Sequence, residues 1–199
     1  MGDTGRHEIF LLRHGETEWS SSGRHTGRTD VPLTPRGEQL ATAAGRTLTA
    51  LRGTGPLTAL ASPRTRARRT AELAGHPAEV EPLLAEWDYG DYEGRTTPEI
   101  REDVPEWTVW THPTPGGESA AEVTGRADEL LARVAAELTR RDVLLTGHGH
   151  FGRVLIARWL GLPATEGVRF ALDPAGLTVL GHERGVPQLH RSNVPATAG

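Results

Sequence analysis

Short apolar runs alternate along the chain with longer segments whose apolar positions recur every three or four residues. Ile9-Phe10-Leu11-Leu12 follows a polar stretch and predicts a short buried strand. Thr34-Pro35 predicts a helix start, with Thr34 as N-cap and Pro35 in the first helical position, and that helix continues to about Leu51. Leu57 to Ala61 reads as a second strand and Pro63 to Ala74 as a second helix. Ser119-Ala-Ala-Glu122 is a capping-box pattern, opening a helix with apolar positions Val123, Ala127, Leu130, Leu131, Val134 and Leu138. Val143-Leu144-Leu145 predicts a third strand, followed by a helix from about Gly149 to Leu160. Val168 to Leu172 and Leu177 to Leu180 are read as two closing strands.

Strands alternating with helices predict an α/β fold of three layers, α/β/α, with a mainly parallel central sheet. At 199 residues the chain is long enough for one sizeable core, so a single domain over residues 1–199 is expected. Residues 94–117, rich in Pro and Thr and carrying Trp107 and Trp110, read as a lid-like excursion from that core.

Composition narrows the chemistry. There are 22 basic and 26 acidic side chains, a balance of −4, and every basic one is arginine. Lysine is absent, which codon bias alone would produce, and its absence excludes Schiff-base catalysis, a Walker-type P-loop and a protein-kinase core. Cysteine is absent too, excluding a thiolate nucleophile, a zinc ribbon and a disulfide framework. The mild negative charge argues against a nucleic-acid partner, and no apolar run is long enough to span a membrane. The polar start, Met1 to His7, lacks a signal-peptide pattern, and Arg6 occupies the Ser/Thr position that would make Gly2 a myristoylation site. A soluble cytoplasmic protein is the expectation.

Three motifs sit directly after the three central strands: Arg13-His14-Gly15-Glu16-Thr17, Ser62 through Thr70 with its arginines, and Gly147-His148-Gly149-His150. In an open parallel sheet, ligands bind beyond the carboxyl ends of the strands, so these motifs are expected to converge on one pocket. Guanidinium forks donate paired hydrogen bonds to phosphate oxygens, and a helix starting at Gly149 adds free backbone N–H groups. A histidine kept neutral by nearby Arg13 and Arg66 could attack phosphorus itself.

Arg13-His14-Gly15-Glu16-Thr17 resembles the signature of the histidine phosphatase superfamily, in its phosphoglycerate-mutase-like branch. Thr26-Gly27 with Asp30-Val-Pro-Leu-Thr34 resembles that family's substrate loop, and Ser62 to Thr70 its S-x-x-x-R-A-x-x-T segment. Leu84-Ala-Glu86-Trp-Asp-Tyr-Gly90-Asp-Tyr-Glu93-Gly94, Pro115-Gly-Gly-Glu118-Ser119 and His148-Gly149 follow in the family's order. The resemblance implies a phosphoglycerate-mutase-like fold with His14 as the nucleophile that becomes phosphohistidine. It implies that Arg13, Arg66 and His148 hold the phosphoryl oxygens, and that Glu86 protonates the leaving oxygen and then activates water. A carboxyl serving both halves should have a pKa above the free value of about 4.3. Ser20, Thr26, Gly27 and Gly149 are the implied substrate-binding positions, with Ser20 standing where the family often has Asn. Neither metal nor cofactor is implied, because the arginines supply the positive charge.

The plainer alternatives are specific. His14 and His148 as buried structural histidines, and His148-x-His150 as a metal pair, are the competing readings; no other metal ligand at suitable spacing is apparent. Otherwise His150 is read as a pocket-rim residue. Arg64, Arg68 and Arg69 suit a solvated helix face, Glu93 and Glu118 suit caps or turns as easily as the site, and Trp87 and Tyr89 suit pocket or core equally.

Members of the resembled family include phosphatases and mutases. A mutase needs extra cations, including a lysine shortly after the Glu-bearing segment, to shield its intermediate and grip a carboxylate. Here that position falls near Thr97, and residues 94–117 offer only Arg95 and Arg101 among Glu99, Glu102, Asp103 and Glu106. The expected activity is therefore a metal-independent phosphatase acting on small phosphomonoesters such as sugar phosphates, with cofactor-dependent phosphoglycerate mutase as the alternative. A non-catalytic phosphate-binding protein is the reading of a different class. Arg24, Arg28 and Arg95 would select doubly anionic substrates if they faced inward, and five tryptophans leave room for an aromatic interface in a homo-oligomer.

Overall fold

The computed structural model describes residues 7–196, so the readings made on Gly2 and Met1 to Arg6 lie outside the described residues. β1 (Ile9–Arg13), β2 (Leu57–Ala61), β3 (Glu79–Val80), β4 (Asp142–Gly147), β5 (Leu177–Glu183) and β6 (Val186–Val194) form one sheet in the order β3-β2-β4-β1-β5-β6. β1 runs parallel to β4, β4 to β2 and β2 to β3, whereas β5 pairs antiparallel with both β1 and β6. Helices α1 (Glu18–Ser21), α2 (Pro35–Arg52), α3 (Thr65–Leu73), α4 (Thr97–Asp103), α5 (Ala120–Glu137) and α6 (Gly149–Trp159) flank it.

The continuous apolar run of β1 is explained by cover on both faces. Ile9 and Leu11 join one core with Val123, Leu130 and Val134 of α5 and Val154 and Leu155 of α6. Phe10 and Leu12 point the other way, into a core with Ala44 and Leu48 of α2 and with Leu144 and Leu177. Burying each such side chain contributes roughly 1.5–3 kcal/mol, and a one-residue register slip would exchange the two sets.

Caps fix where the helices begin. Thr34 Oγ1 accepts from the Gly37 N–H at 3.0 Å with Pro35 in the first turn, and Ser119 and Glu122 form the expected reciprocal capping box. α2 then packs its N-terminus against the turn after β1 so closely that a Cβ on Gly37 would lie 2.1 Å from the Glu16 carbonyl oxygen.

Two sequence expectations need correction. Val168 to Leu172 is not a strand: Ala164–Arg169 forms a 3-10 turn, and the Gly167 and Val168 carbonyls accept from Arg153 rather than from a neighbouring strand. The last strand, β6, was not foreseen, because Pro187 and exposed polar positions mask it. It returns from β5 through Arg184-Gly185, both at positive φ (51° and 81°), the conformation that tight hairpins favour. Residues 94–117 carry α4 and several turns, and Ile100, Trp107, Val109 and Trp110 pack into the same core as α5 and α6. Trp87, Trp107, Trp110 and Trp159 are all buried within the chain, so they do not supply the aromatic interface considered above. Among the described residues no helix is long and apolar enough to cross a membrane.

Candidate active site

Strand pairing brings the three motifs together. Arg13 and Gly147 are register partners at the ends of β1 and β4, and Ala61 at the end of β2 is opposite Thr146. The residue after each strand is pinned by one more ladder-like bond: His14 N–H donates to Gly147 O at 2.9 Å and Ser62 N–H to Thr146 O at 3.0 Å. His14 and His148 therefore stand ring against ring, edge to face, with centroids 5.3 Å apart.

The His14 ring is oriented by its neighbour. Its Nδ1 lies 2.7 Å from the Gly15 carbonyl oxygen, and a carbonyl only accepts, so Nδ1 carries the hydrogen and Nε2 keeps its lone pair. Burial, followed by the Arg66 and Arg13 charges, holds the His14 pKa well below the usual histidine value. His148 is lowered in the same way, by burial first and then Arg66. Its Nε2 meets Ser62 Oγ at 2.7 Å, whereas its Nδ1 is buried with no partner.

Arg66 is fully buried beside these rings. It donates to the Thr29 carbonyl at 2.8 Å and the Thr26 carbonyl at 2.9 Å, which leaves its Nε unpartnered. Arg13 donates to Leu172 O at 2.6 Å and also has an unpartnered, buried Nε. Unpaired buried donors are costly in a folded protein, and a tetrahedral oxyanion is the natural acceptor for such a set. Gly149 is required here by close approach, since a Cβ on it would lie 3.3 Å from the Arg13 guanidinium carbon.

Glu86 is gripped by backbone. Its Oε1 accepts from the N–H groups of Trp87 (2.9 Å) and Phe151 (2.7 Å), and its Oε2 accepts from His150 N–H (3.0 Å). Two of these donors belong to the first turn of α6, where free N–H groups and the helix dipole both favour a carboxylate.

A pocket of about 530 Å³ opens onto these groups, lined by Arg13, His14, Glu86 and Gly149 and walled by Arg24, His25, Tyr89, His150, Arg153 and Phe170 to Asp173. Ser20 and Thr26 also line it; the Ser20 hydroxyl donates to Thr17 O at 3.0 Å and the Thr26 hydroxyl to Arg24 O at 3.1 Å. Arg66, His148 and Gly27 are buried and are not part of this lining. Gly27 N–H is already donated to the Glu93 carboxylate, which holds Thr29 N–H as well. Glu118, left open between a turn and the site, pairs with Arg126 at 2.7 Å. Arg64, Arg68 and Arg69 do not line the pocket, and Arg69 pairs with Glu38 at 3.0 Å. Among the described residues no group of three or more His, Cys, Asp or Glu could hold a metal ion.

Sequence reasoning left unassigned much of the wall. Tyr89 is buried yet lines the pocket, with its hydroxyl 2.6 Å from His150 Nδ1. His25 packs on the Tyr89 ring at 4.7 Å and meets Thr97 Oγ1 at 3.2 Å; burial lowers its pKa to about 4, against a smaller opposing influence of Glu93. The position of His25 beside Thr26 was the available signal for it. Phe170 to Leu172 gave none, being read as part of a strand, and Asp173 was not singled out.

The model of the histidine phosphatase superfamily (branch 1) matches residues 9–195. An acid phosphatase of Mycobacterium tuberculosis is 52% identical over 184 residues, covering 92% of this chain and 90% of that protein. Sedoheptulose 1,7-bisphosphatase of Saccharomyces cerevisiae is 34% identical, covering 77% of this chain and 67% of the other. A solved structure of a Mycobacterium tuberculosis open reading frame product superposes with a TM-score of 0.94 at 49% identity, covering 96% of this chain and all of that one (100%). An RHGE motif whose histidine presents a lone pair to a nest of unpartnered arginine nitrogens, on this fold, is thus accounted for by descent: the chain belongs to branch 1 of the histidine phosphatase superfamily.

Proposed function

We propose that the chain hydrolyses small phosphomonoesters through a phosphohistidine on His14, working as one domain in which residues 94–117 form part of the pocket wall. The observation that carries this reading is the His14 tautomer: Nδ1–H is tied to Gly15 O, so the lone pair of Nε2 is the ring's nucleophilic atom. Nε2 attacks phosphorus, the P–O bond to the substrate alcohol breaks, and the departing oxygen takes a proton from Glu86. Both acceptor positions of Glu86 Oε1 are filled by backbone N–H groups, whereas Oε2 has only one such partner, so Oε2 is the atom left to carry that proton. Water then attacks the phosphohistidine, gives its proton to Glu86, and the P–N bond breaks. Arg13, Arg66 and His148 stabilise charge on the phosphoryl oxygens in both steps. Ser20, Thr26 and Gly149 adjoin the substrate, and Gly27 contributes by shaping the loop that Arg66 holds.

Hydrolysis is favoured over phosphoryl return because the 94–117 arginines are engaged: Arg95 pairs with Asp103 at 2.7 Å and Arg101 donates to Trp107 O at 2.8 Å. The test is release of phosphate from p-nitrophenyl phosphate by wild type and His14→Ala, with trapping of an acid-labile phosphoenzyme. A loss of about 10⁴-fold or more and no trapped phosphate in the variant are expected. Equal rates would overturn the reading. Isomerisation of 3-phosphoglycerate with catalytic 2,3-bisphosphoglycerate outpacing phosphate release would make the enzyme a mutase instead.

A further inference from the structure

Besides Arg13, two guanidinium groups line the pocket, Arg24 in the loop after α1 and Arg153 on α6. The other arginines that sequence nominated as selectors are neutralised, Arg28 by Asp88 at 2.5 Å and Arg95 by Asp103. Arg24 and Arg153 have no ion pair among the described residues: Arg24 donates to Gly94 O at 2.6 Å, and Arg153 to Gly167 O and Val168 O at 3.0 Å each. Glu99, whose carboxylate accepts from the Thr96 N–H and hydroxyl, feels the Arg24 charge without forming an ion pair with it. Arg153 is pre-positioned by its stack on Trp110, with the guanidinium carbon 4.7 Å from the ring centroid, and its Nη1 has no hydrogen bond. Binding to carbonyls and an aromatic face orients a cation without neutralising it.

His150, one helical turn before Arg153, also lines the pocket; its Nδ1 lies 2.6 Å from the Tyr89 hydroxyl, and a phenol that donates there places the ring hydrogen on Nε2. The pocket thus holds three guanidinium groups against the carboxylates of Glu86 and Asp173, and one of those three, Arg13, adjoins His14 and serves the phosphoryl group under attack.

We propose that Arg24, Arg153 and His150 form a second anion subsite, so that preferred substrates are phosphomonoesters whose alcohol portion carries a further phosphate or carboxylate. This rests on the phosphomonoesterase reading above and names its substrate class. A reaction that phosphorylates an already phosphorylated or carboxylated alcohol would supply such substrates.

The experiment compares kcat/KM within two substrate pairs: fructose 1,6-bisphosphate against fructose 6-phosphate, and 3-phosphoglycerate against glycerol 3-phosphate. Wild type is expected to prefer the member with the additional anion by about tenfold or more in at least one pair, and that pair identifies phosphate or carboxylate as the second group. In Arg153→Gln and, separately, Arg24→Gln the preference should fall by about tenfold. A ratio cancels any loss of folded enzyme, and Arg24, being exposed, provides the variant least prone to misfold. No preference in wild type, or ratios unmoved in both variants, overturns the subsite. Absence of any His14-dependent phosphate release would overturn the phosphatase reading instead.

Discussion

The floor of the pocket and its wall are built differently. His14, Ser62 and His148 each follow a central strand, and their backbones are continuations of the β1–β4–β2 ladder. The wall is assembled from loops tied by individual bonds: His25 N–H to Arg95 O at 2.9 Å, Arg24 to Gly94 O, and Asp173 to Asn193 at 2.8 Å. A ladder holds neighbouring residues cooperatively, so reacting groups sit where small displacements cost the most. Loops tied by a few such local bonds can change sequence without disturbing that geometry. On this arrangement the chemistry belongs to the sheet, and discrimination among alcohols belongs to the wall.

The largest test of the contrast is Glu86→Gln. The amide loses the titratable proton and sets an NH2 against the His150 N–H, so kcat should fall by roughly 10²–10⁴-fold with a melting temperature lowered by only a few degrees. The loss should be smaller for p-nitrophenyl phosphate, whose leaving group needs no protonation; equal losses for alkyl and aryl esters would refute the assigned role. On the wall side, Trp107→Ala removes a fully buried ring and should cost about 3–5 kcal/mol, read by denaturant unfolding. Surviving enzyme should show raised KM more than lowered kcat. A stability change near zero would mean that the 94–117 segment is not part of the core.

The pH dependence separates the two regions further. A histidine with a depressed folded pKa binds fewer protons than the unfolded chain below about 6.5, so stability is full above that pH and falls as pH drops towards the folded value. His14, His148, His150 and His25 are all lowered, each chiefly by burial. Stability should decline below about pH 6.5, while His14 remains neutral and nucleophilic there. His25→Gln should remove roughly 3 kcal/mol of that decline between pH 6.5 and about 4, measured as melting temperature against pH. An unchanged slope would place the acid sensitivity in His14, His148 and His150 instead. The smallest effect is expected from Tyr89→Phe, about fivefold and mainly in KM, because only the orientation of His150 is lost; a dominant fall in kcat would move Tyr89 into the chemistry.

Much of this was legible beforehand. The apolar run of β1, the Thr34-Pro35 start and the Ser119–Glu122 box encode local conformation through side-chain pattern and capping, and each lies where it was expected. The convergence of the His14, Arg66 and His148 motifs was legible because each follows a central strand, whereas Glu86 was reached only through the resemblance. Residues 168–172 were misread since a short apolar run states no partner, and Arg153 claimed the carbonyls that a strand would have used. β6 hid because an edge strand with Pro187 has little burial to impose alternation.

The sequence by itself determined the order of β1, α2, β2, α3, α5, β4 and α6, the two-faced burial of β1 and the placing of the histidine and arginine motifs after the central strands. These follow from periodicity, capping and residue chemistry, all of which act over a few positions. Only the tertiary structure decided which arginines are neutralised and which face the pocket. It also decided that Gly27 is not part of the pocket lining and that the Tyr89 hydroxyl meets His150 Nδ1. Those outcomes depend on pairings across long separations, such as Arg28 with Asp88 and Arg24 with Gly94, whose energies exist only once the loops have been brought together.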